Sequence, residues 1–293
     1  MQDDDLRASN NIEDRRGMGG GMVAKGGLGI GAVVVLSLIG WATGIDPRVL
    51  IGGAEMVTGQ QQTQQQPAQA GRQGAPTDQQ GNFVARVLGE TEDVWSQILP
   101  QQANKQYVKP VLVLYSGVTQ SGCGTAQSAM GPFYCPEDRK LYLDTSFFQD
   151  MQRKMGGGGE FAYAYVIAHE VGHHVQNLLG MLPKIQDAEQ QARQQGDRAA
   201  ANNLSVRTEL MADCLAGVWA NQMNKRHNNI DDNDVRQAVA TASAIGDDRL
   251  QQQAGRSAVV PDSFTHGSSG QRVQWLTAGL RQGTVQACDT FKP

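Results

Sequence analysis

From residue 26 to residue 45 the chain reads GGLGIGAVVVLSLIGWATGI, twenty residues without a charge. At 1.5 Å per residue, a helix of that length spans roughly 30 Å, the hydrocarbon thickness of a bilayer. Its six glycines weaken a helix in water but are tolerated in a membrane helix. Trp41 sits near the far end, where an interfacial aromatic is favoured, and Gly27-x-x-x-Gly31 offers a small-residue packing face. A buried core helix is the competing reading, and polar sequence on both sides argues against it. Residues 1–25 are rich in charge and glycine and are expected to form a disordered tail. Residues 59–81 (GQQQTQQQPAQAGRQGAPTDQQG) hold almost no large apolar side chain, so the stretch 46–81 reads as a tether. A packed domain is thereby confined to about residues 82–293.

The flanks of the apolar segment predict its orientation. Arg7, Arg15, Arg16 and Lys25 precede it, and only Arg48 follows closely. The positive-inside rule then places the N-terminus in the cytoplasm and the domain outside it, periplasmic or at the cell surface. The long charged lead and the lack of a small-x-small cleavage site argue against a removed signal peptide. Outside the cytoplasm, cysteines oxidise. The chain has four, none in a C-x-x-C, so a cysteine zinc site is not expected. Of the three connectivities, the expected one joins Cys123 to Cys135 across a glycine-rich turn and Cys214 to Cys288. A net charge of −4 gives no basic excess, which excludes the usual nucleic-acid binder.

Within the domain, Phe83, Val84, Val87, Leu88, Val94, Trp95 and Leu99 recur at helical spacing. VLVLY (111–115) and KLYLD (140–144) read as strands, and Thr145 or Ser146 as the cap of a helix to about Arg153. A four-glycine run at 156–159 breaks the chain. Helices are expected at 161–179, 184–198, 200–226, 232–245 and 270–282. The class is α+β, with a small sheet early and helices thereafter.

The helix over 161–179 carries His169-Glu170-Val171-Gly172-His173. Positions i and i+4 share a helix face, so both imidazoles can reach one ion. Zinc accepts imidazole nitrogen and prefers a tetrahedral shell. Glu170 is offset from that face and suits a general base acting on water. With five histidines and nine glutamates in 293 residues, H-E-x-x-H arises by chance in roughly 0.3% of shuffled chains. Val166, Ile167, Ala168, Val171 and Val175 make the helix apolar, and unpaired His and Glu are costly there. A catalytic zinc needs a third protein ligand. Glu209 is the candidate, with Asp213 one turn on placed against the outer nitrogen of a ligand histidine. The swapped assignment, and an exposed polar stripe, are the alternatives. His174 lies roughly 100° around the helix from His173 and is expected to be structural. His227, in KRHNN, is expected on an exposed loop.

These residues resemble the gluzincin pattern: H-E-x-x-H with a downstream Glu and an Asp four residues later. More closely, the chain resembles the bacterial neutral zinc metallopeptidase family, which carries an N-terminal membrane anchor. The shared stretches are VTQSGCGTAQSAMGPFYCP, KLYLDTSFF, YVIAHEVGHHVQNLLG, ELMADCLAGVWA and FTHGSSGQRVQWL. The resemblance implies a zincin-like domain and zinc-dependent hydrolysis of peptide bonds. The 36-residue gap from His173 to Glu209 is longer than in thermolysin-type enzymes. FTHGSSGQRVQWL also resembles a late His-and-Arg stretch of membrane gluzincins. It makes His266 a candidate transition-state donor and Arg272 a candidate holder of the site's carboxylates or of the substrate backbone. For His266, capping of the following helix or a hydrogen bond within the loop is the alternative.

The expected activity is therefore a membrane-anchored zinc peptidase with Glu170 as base and a peptide or protein as substrate. A zinc-stabilised scaffold and a chaperone-like factor, neither hydrolytic, are the rivals. MGPFY (130–134) is a candidate edge strand for binding an extended peptide, with an ordinary loop as the alternative. Pro132 fits an edge because it lacks a donor.

Overall fold

The computed structural model describes residues 1, 3–17, 71–154, 158–253 and 259–292. The expected membrane span, 26–45, lies outside the described residues. No helix among the described residues is long and apolar enough to cross a membrane.

The sheet is built on two alternating strands. β3 (Val111–Tyr115) and β7 (Lys140–Asp144) run parallel, in register from Val111 with Lys140 to Tyr115 with Asp144. Their even and odd positions part as a period of two requires. Leu112, Leu114, Leu141 and Leu143 enter the main core against the helices. Val113, Tyr115 and Tyr142 face the opposite side with Ala126 and Cys135. That second side is covered by the hairpin β4 (Val118–Ser121) and β5 (Gly124–Gln127). β6 (Phe133–Cys135) pairs antiparallel with β7 and forms one edge of the sheet.

The other side of the sheet holds strands that the composition hid. β1 (Ile12–Asp14) lies parallel to β3, and β2 (Arg72–Gln73) lies antiparallel to β1. The order is β2-β1-β3-β7-β6. Met1–Arg16 and Gly71–Pro293 form one compact unit. The expected disordered tail is thus corrected over residues 1–16, and the expected tether over residues 71–81. The polar run failed as a sign of disorder because its charges are paired within the fold and Ile12 is fully buried.

Eight longer helical segments complete the described chain. α1 (Gln79–Ala103) starts on the Asp78 carboxylate, which accepts from Gly81 N. α2 (Phe147–Lys154) follows β7, and α3 (Glu160–Leu178) follows the glycine run with Gly159 as its cap. Next come α4 (Met181–Gln194), α5 (Arg198–His227), α6 (Asp232–Ala244), α7 (Asp247–Gln253) and α8 (Ser269–Gln282). α6 and α8 begin in capping boxes, Asp231 with Asp234 and Ser268 with Gln271. α7 had no counterpart in the sequence reading. α3 and α5 carry apolar side chains around most of their circumference and cross in the core. Gly172 permits that crossing: a Cβ there would lie 3.0 Å from the Ala212 carbonyl oxygen and 3.2 Å from its Cα. α8 packs along α5.

Both cysteine pairs are bonded as expected. Cys123–Cys135 ties the β4–β5 turn to the edge strand, and Cys214–Cys288 ties α5 to the 3-10 turn Val285–Cys288. His227 is exposed, as expected, but it ends α5 and does not lie on a loop, with Nε2 3.1 Å from Glu90 Oε2.

Candidate metal centre

α3 presents His169 and His173 one turn apart, with ring centroids 4.9 Å apart. α5, brought close by Gly172, presents Glu209 to both. His169 Nε2 is 3.2 Å from Glu209 Oε2, and His173 Nε2 is 3.5 Å from Glu209 Oε1. One ligand atom from each of the three residues falls within 4.8 Å of the others. Ligands of a tetrahedral zinc at roughly 2.0–2.1 Å stand roughly 3.4 Å apart, so these separations suit that ion. The donor set, two imidazoles and a carboxylate, suits it as well.

The imidazoles are held from behind. His169 Nδ1 lies 2.8 Å from Asp213 Oδ1, and His173 Nδ1 lies 3.0 Å from Gln176 Oε1. With each Nδ1 engaged by an acceptor, each Nε2 is the nitrogen that faces Glu209. Asp213 therefore sits behind a histidine and Glu209 in front, which separates the two carboxylates that the sequence left exchangeable. Asp213 also accepts from Tyr165 Oη at 2.5 Å and from Arg272, Nε to Oδ2 at 2.8 Å and Nη2 to Oδ1 at 2.9 Å. Arg272 is brought there by α8. Gln176 also donates from Nε2 to the Thr208 carbonyl at 2.7 Å, next to Glu209, so it links α3 to α5.

Charge follows this geometry. Burial works against the Asp213 carboxylate, but Arg272 and His169 hold its pKa down to about 2. Burial works against charge on His169 too, yet Asp213 and Glu209 raise its pKa to about 10. Burial outweighs the other influences on His173 and lowers its pKa. Glu209 is held well below the usual carboxylate range by the neighbouring histidines despite its burial. Glu170 goes the other way: desolvation lifts it to about 7. A carboxylate poised there suits proton transfer near neutrality.

The edge strand runs beside Glu170. The Tyr134 backbone is near enough to hydrogen-bond the Glu170 carboxylate. Tyr134 Oη is fixed by Asn177 Nδ2 at 2.8 Å and by His174 Nδ1 at 3.0 Å. His174 Nε2 is 2.6 Å from the Val108 carbonyl. The buried His174 is thus structural, as expected, and it pins β6 to α3. The strand itself begins later than expected. Residues 128–130 form a 3-10 turn, Gly131 has φ +71°, and only Phe133–Cys135 pair.

His266 is half-exposed in the turn before α8, and Asp247 organises it. Asp247 Oδ2 accepts the backbone N–H groups of Thr265, His266 and Gly267 at 2.7, 2.7 and 3.1 Å. Oδ1 lies 3.2 Å from His266 Nδ1. Burial opposes charge on His266, but Asp247 and then Glu209 raise its pKa, which puts the ring within electrostatic reach of the centre. It does not cap α8; Ser268 does. Tyr165, Gln176 and Asp247 were missed by the sequence reading. Tyr165 stands four residues before His169 and Gln176 three after His173, so helical spacing carried a signal for both. Asp247 had none.

No solved structure matches the chain. The protein YpfJ of Escherichia coli (strain K12), named as uncharacterized, is 45% identical over 296 residues, covering 97% of this chain and 96% of its own. Mb2605 of Mycobacterium bovis and Rv2575 of Mycobacterium tuberculosis, named likewise, are each 44% identical over 219 residues, covering 71% of this chain and 69% of theirs. Residues 1–291 match the family described as "Putative neutral zinc metallopeptidase", and the chain belongs to that family.

Proposed function

We propose that the chain is a zinc-dependent peptidase. Its metal is held by His169, His173 and Glu209, and Glu170 is its general base. The observation that carries this reading is the convergence of two Nε2 atoms and one carboxylate beside a carboxyl group lifted to about 7. Zinc bound there supplies Lewis acidity toward a water and a peptide carbonyl. Glu170 accepts the proton of the attacking water and returns it to the leaving amine. Asp213 and Gln176 keep the two imidazoles in the tautomer that offers Nε2. His266, oriented by Asp247, donates to the carbonyl oxygen as negative charge grows on it. The open side of β6 receives an extended peptide by backbone pairing. The two disulfides support an oxidising, extracytoplasmic compartment for the domain.

The test is zinc analysis of the full chain, paired with cleavage of a peptide library by wild type and Glu170→Gln. The expected result is equimolar zinc in both and cleavage by wild type alone. Loss of zinc is expected in His169→Ala, His173→Ala and Glu209→Ala. A chain that takes up no zinc, or a Glu170→Gln variant that cleaves at the wild-type rate, overturns the proposal.

A further inference from the structure

β1 is not an edge strand that could dock and leave at little cost. It is hydrogen-bonded on both sides, to β2 and to β3. The residues before it are bound as firmly. Ser9 N donates to the Ala85 carbonyl of α1 at 2.8 Å. Glu92, with no exposed surface, accepts from Ser9 Oγ at 2.5 Å, Asn11 Nδ2 at 2.6 Å and Arg7 Nη2 at 2.8 Å. A Cβ on Gly89 would lie 2.0 Å from the Arg7 carbonyl oxygen, so α1 is shaped for this chain passing over it. The buried Glu13 of β1 pairs with Lys140 of β7 at 2.8 Å. Without residues 1–16, Glu92 would be a buried carboxylate stripped of three donors, and the inner edge of β3 would lose its partner. Both outcomes are costly.

The same contacts explain the arginines that appeared to orient the chain. Arg7 pairs with Glu92 and Asp93. Arg15 pairs with Glu13, and Arg16 with Asp14 and Asp78. Their place in the sequence is accounted for by the fold and needs no membrane potential or cytoplasmic lipid.

Strands of one sheet lie roughly 4.7–4.9 Å apart, whereas a bilayer core is roughly 30 Å thick. β1 cannot pair with β3 from across a membrane. We propose that residues 1–16 and residues 71–293 occupy the same side of any membrane the protein contacts. Residues 16 and 71 then lie in one compartment. This is an alternative to the expected arrangement with the N-terminus inside and the domain outside. It is independent of the proposed peptidase activity.

Among the described residues no cysteine is free, so an introduced thiol reacts alone. Asp5 and Lys105 are exposed and belong to the N-terminal segment and the domain. Asp5→Cys and Lys105→Cys are made separately in the full chain and treated with a membrane-impermeant maleimide, in intact spheroplasts and in inverted vesicles. Both positions are expected to label in the same preparation. Labelling of one only in spheroplasts and the other only in inverted vesicles overturns the proposal. Asn10→Cys and Lys292→Cys, also exposed, repeat the comparison if either first variant folds poorly.

Discussion

Arg272 grips Asp213 through two hydrogen bonds, Nε to Oδ2 at 2.8 Å and Nη2 to Oδ1 at 2.9 Å, with both side chains buried. Asp213 in turn holds His169 Nδ1. The guanidinium therefore decides whether the carboxylate behind a proposed metal ligand keeps its charge and its direction. Removing one partner of a buried pair costs about 3–5 kcal/mol, so Arg272→Met is expected to lower stability by that much. Arg272→Lys should recover only part, because an ammonium cannot reproduce the planar fork. Asp213→Ala is expected to weaken zinc about 10–100-fold without abolishing it. Urea denaturation and zinc titration check both. In a double-mutant cycle, Asp213→Asn with Arg272→Met should cost less than the two single changes summed. Strict additivity would mean that the pair does not act as a unit.

Gln176 does for His173 what Asp213 does for His169, but with a neutral amide. Gln176→Leu leaves His173 Nδ1 without its acceptor and frees the Thr208 carbonyl beside Glu209. Zinc affinity is expected to fall about tenfold, the low end for a lost partner of this kind, because no charge is removed. Gln176→Glu should not restore it. The carboxylate could still accept from His173 but could not donate to Thr208. Competition for zinc against a chelator of known strength measures both variants, and wild-type affinity in Gln176→Leu would remove the residue from the site.

Much of this centre was legible because it lies on two helices with a strong period. His169 to His173, and Glu209 to Asp213, are each one turn of helix, and the apolar residues around them mark the buried face. VLVLY is a short apolar run and KLYLD alternates, and their strands begin and end where those patterns do. What was not legible depends on pairing between distant residues. β1 has three residues, two of them acidic, and nothing local distinguishes it from a solvated tail. Its stability comes from Arg15, Lys140 and the backbone of β3. α7 is short and polar, and its role is to aim Asp247 at a turn eighteen residues on. His227 read as a loop residue because Asn228 and Asn229 follow it. Asn228 is indeed the left-handed cap, φ +51°, but the helix runs up to it.

The pairing of Glu13 gives the N-terminal strand a pH dependence. Burial works against the Glu13 carboxylate, but hydrogen bonds from Arg15 and Lys140 prevail and lower its pKa from 4.5 to about 2. A carboxyl group more acidic in the folded state than in the unfolded state stabilises the fold fully above its unfolded pKa. That contribution declines below pH 4.5 and is lost as the pH falls through about 2. Glu13→Gln should therefore be less stable than wild type at pH 7, and the gap should narrow toward pH 2. Urea midpoints taken across that range test this, and a gap independent of pH would mean that Glu13 contributes only through its shape.

His266 offers the sharpest separation of a chemical role from a structural one. Its backbone N–H and those of its two neighbours are satisfied by one oxygen of Asp247, and its Nδ1 meets the other. The turn is thus held chiefly by the backbone, while the ring is oriented with Nε2 directed away from Asp247. Replacing the ring leaves the three backbone bonds in place, so His266→Ala should lose little stability. If Nε2 donates to the carbonyl oxygen in the transition state, the loss appears in kcat, by roughly 10²–10³, with zinc content unchanged. Asp247→Asn should act differently. It weakens three backbone hydrogen bonds as well as the hold on the ring, so melting temperature and kcat should fall together. Zinc analysis, thermal unfolding and peptide-cleavage kinetics on the two variants distinguish the cases. A His266→Ala variant with normal kcat and a lowered melting temperature would make the histidine part of the turn and nothing more.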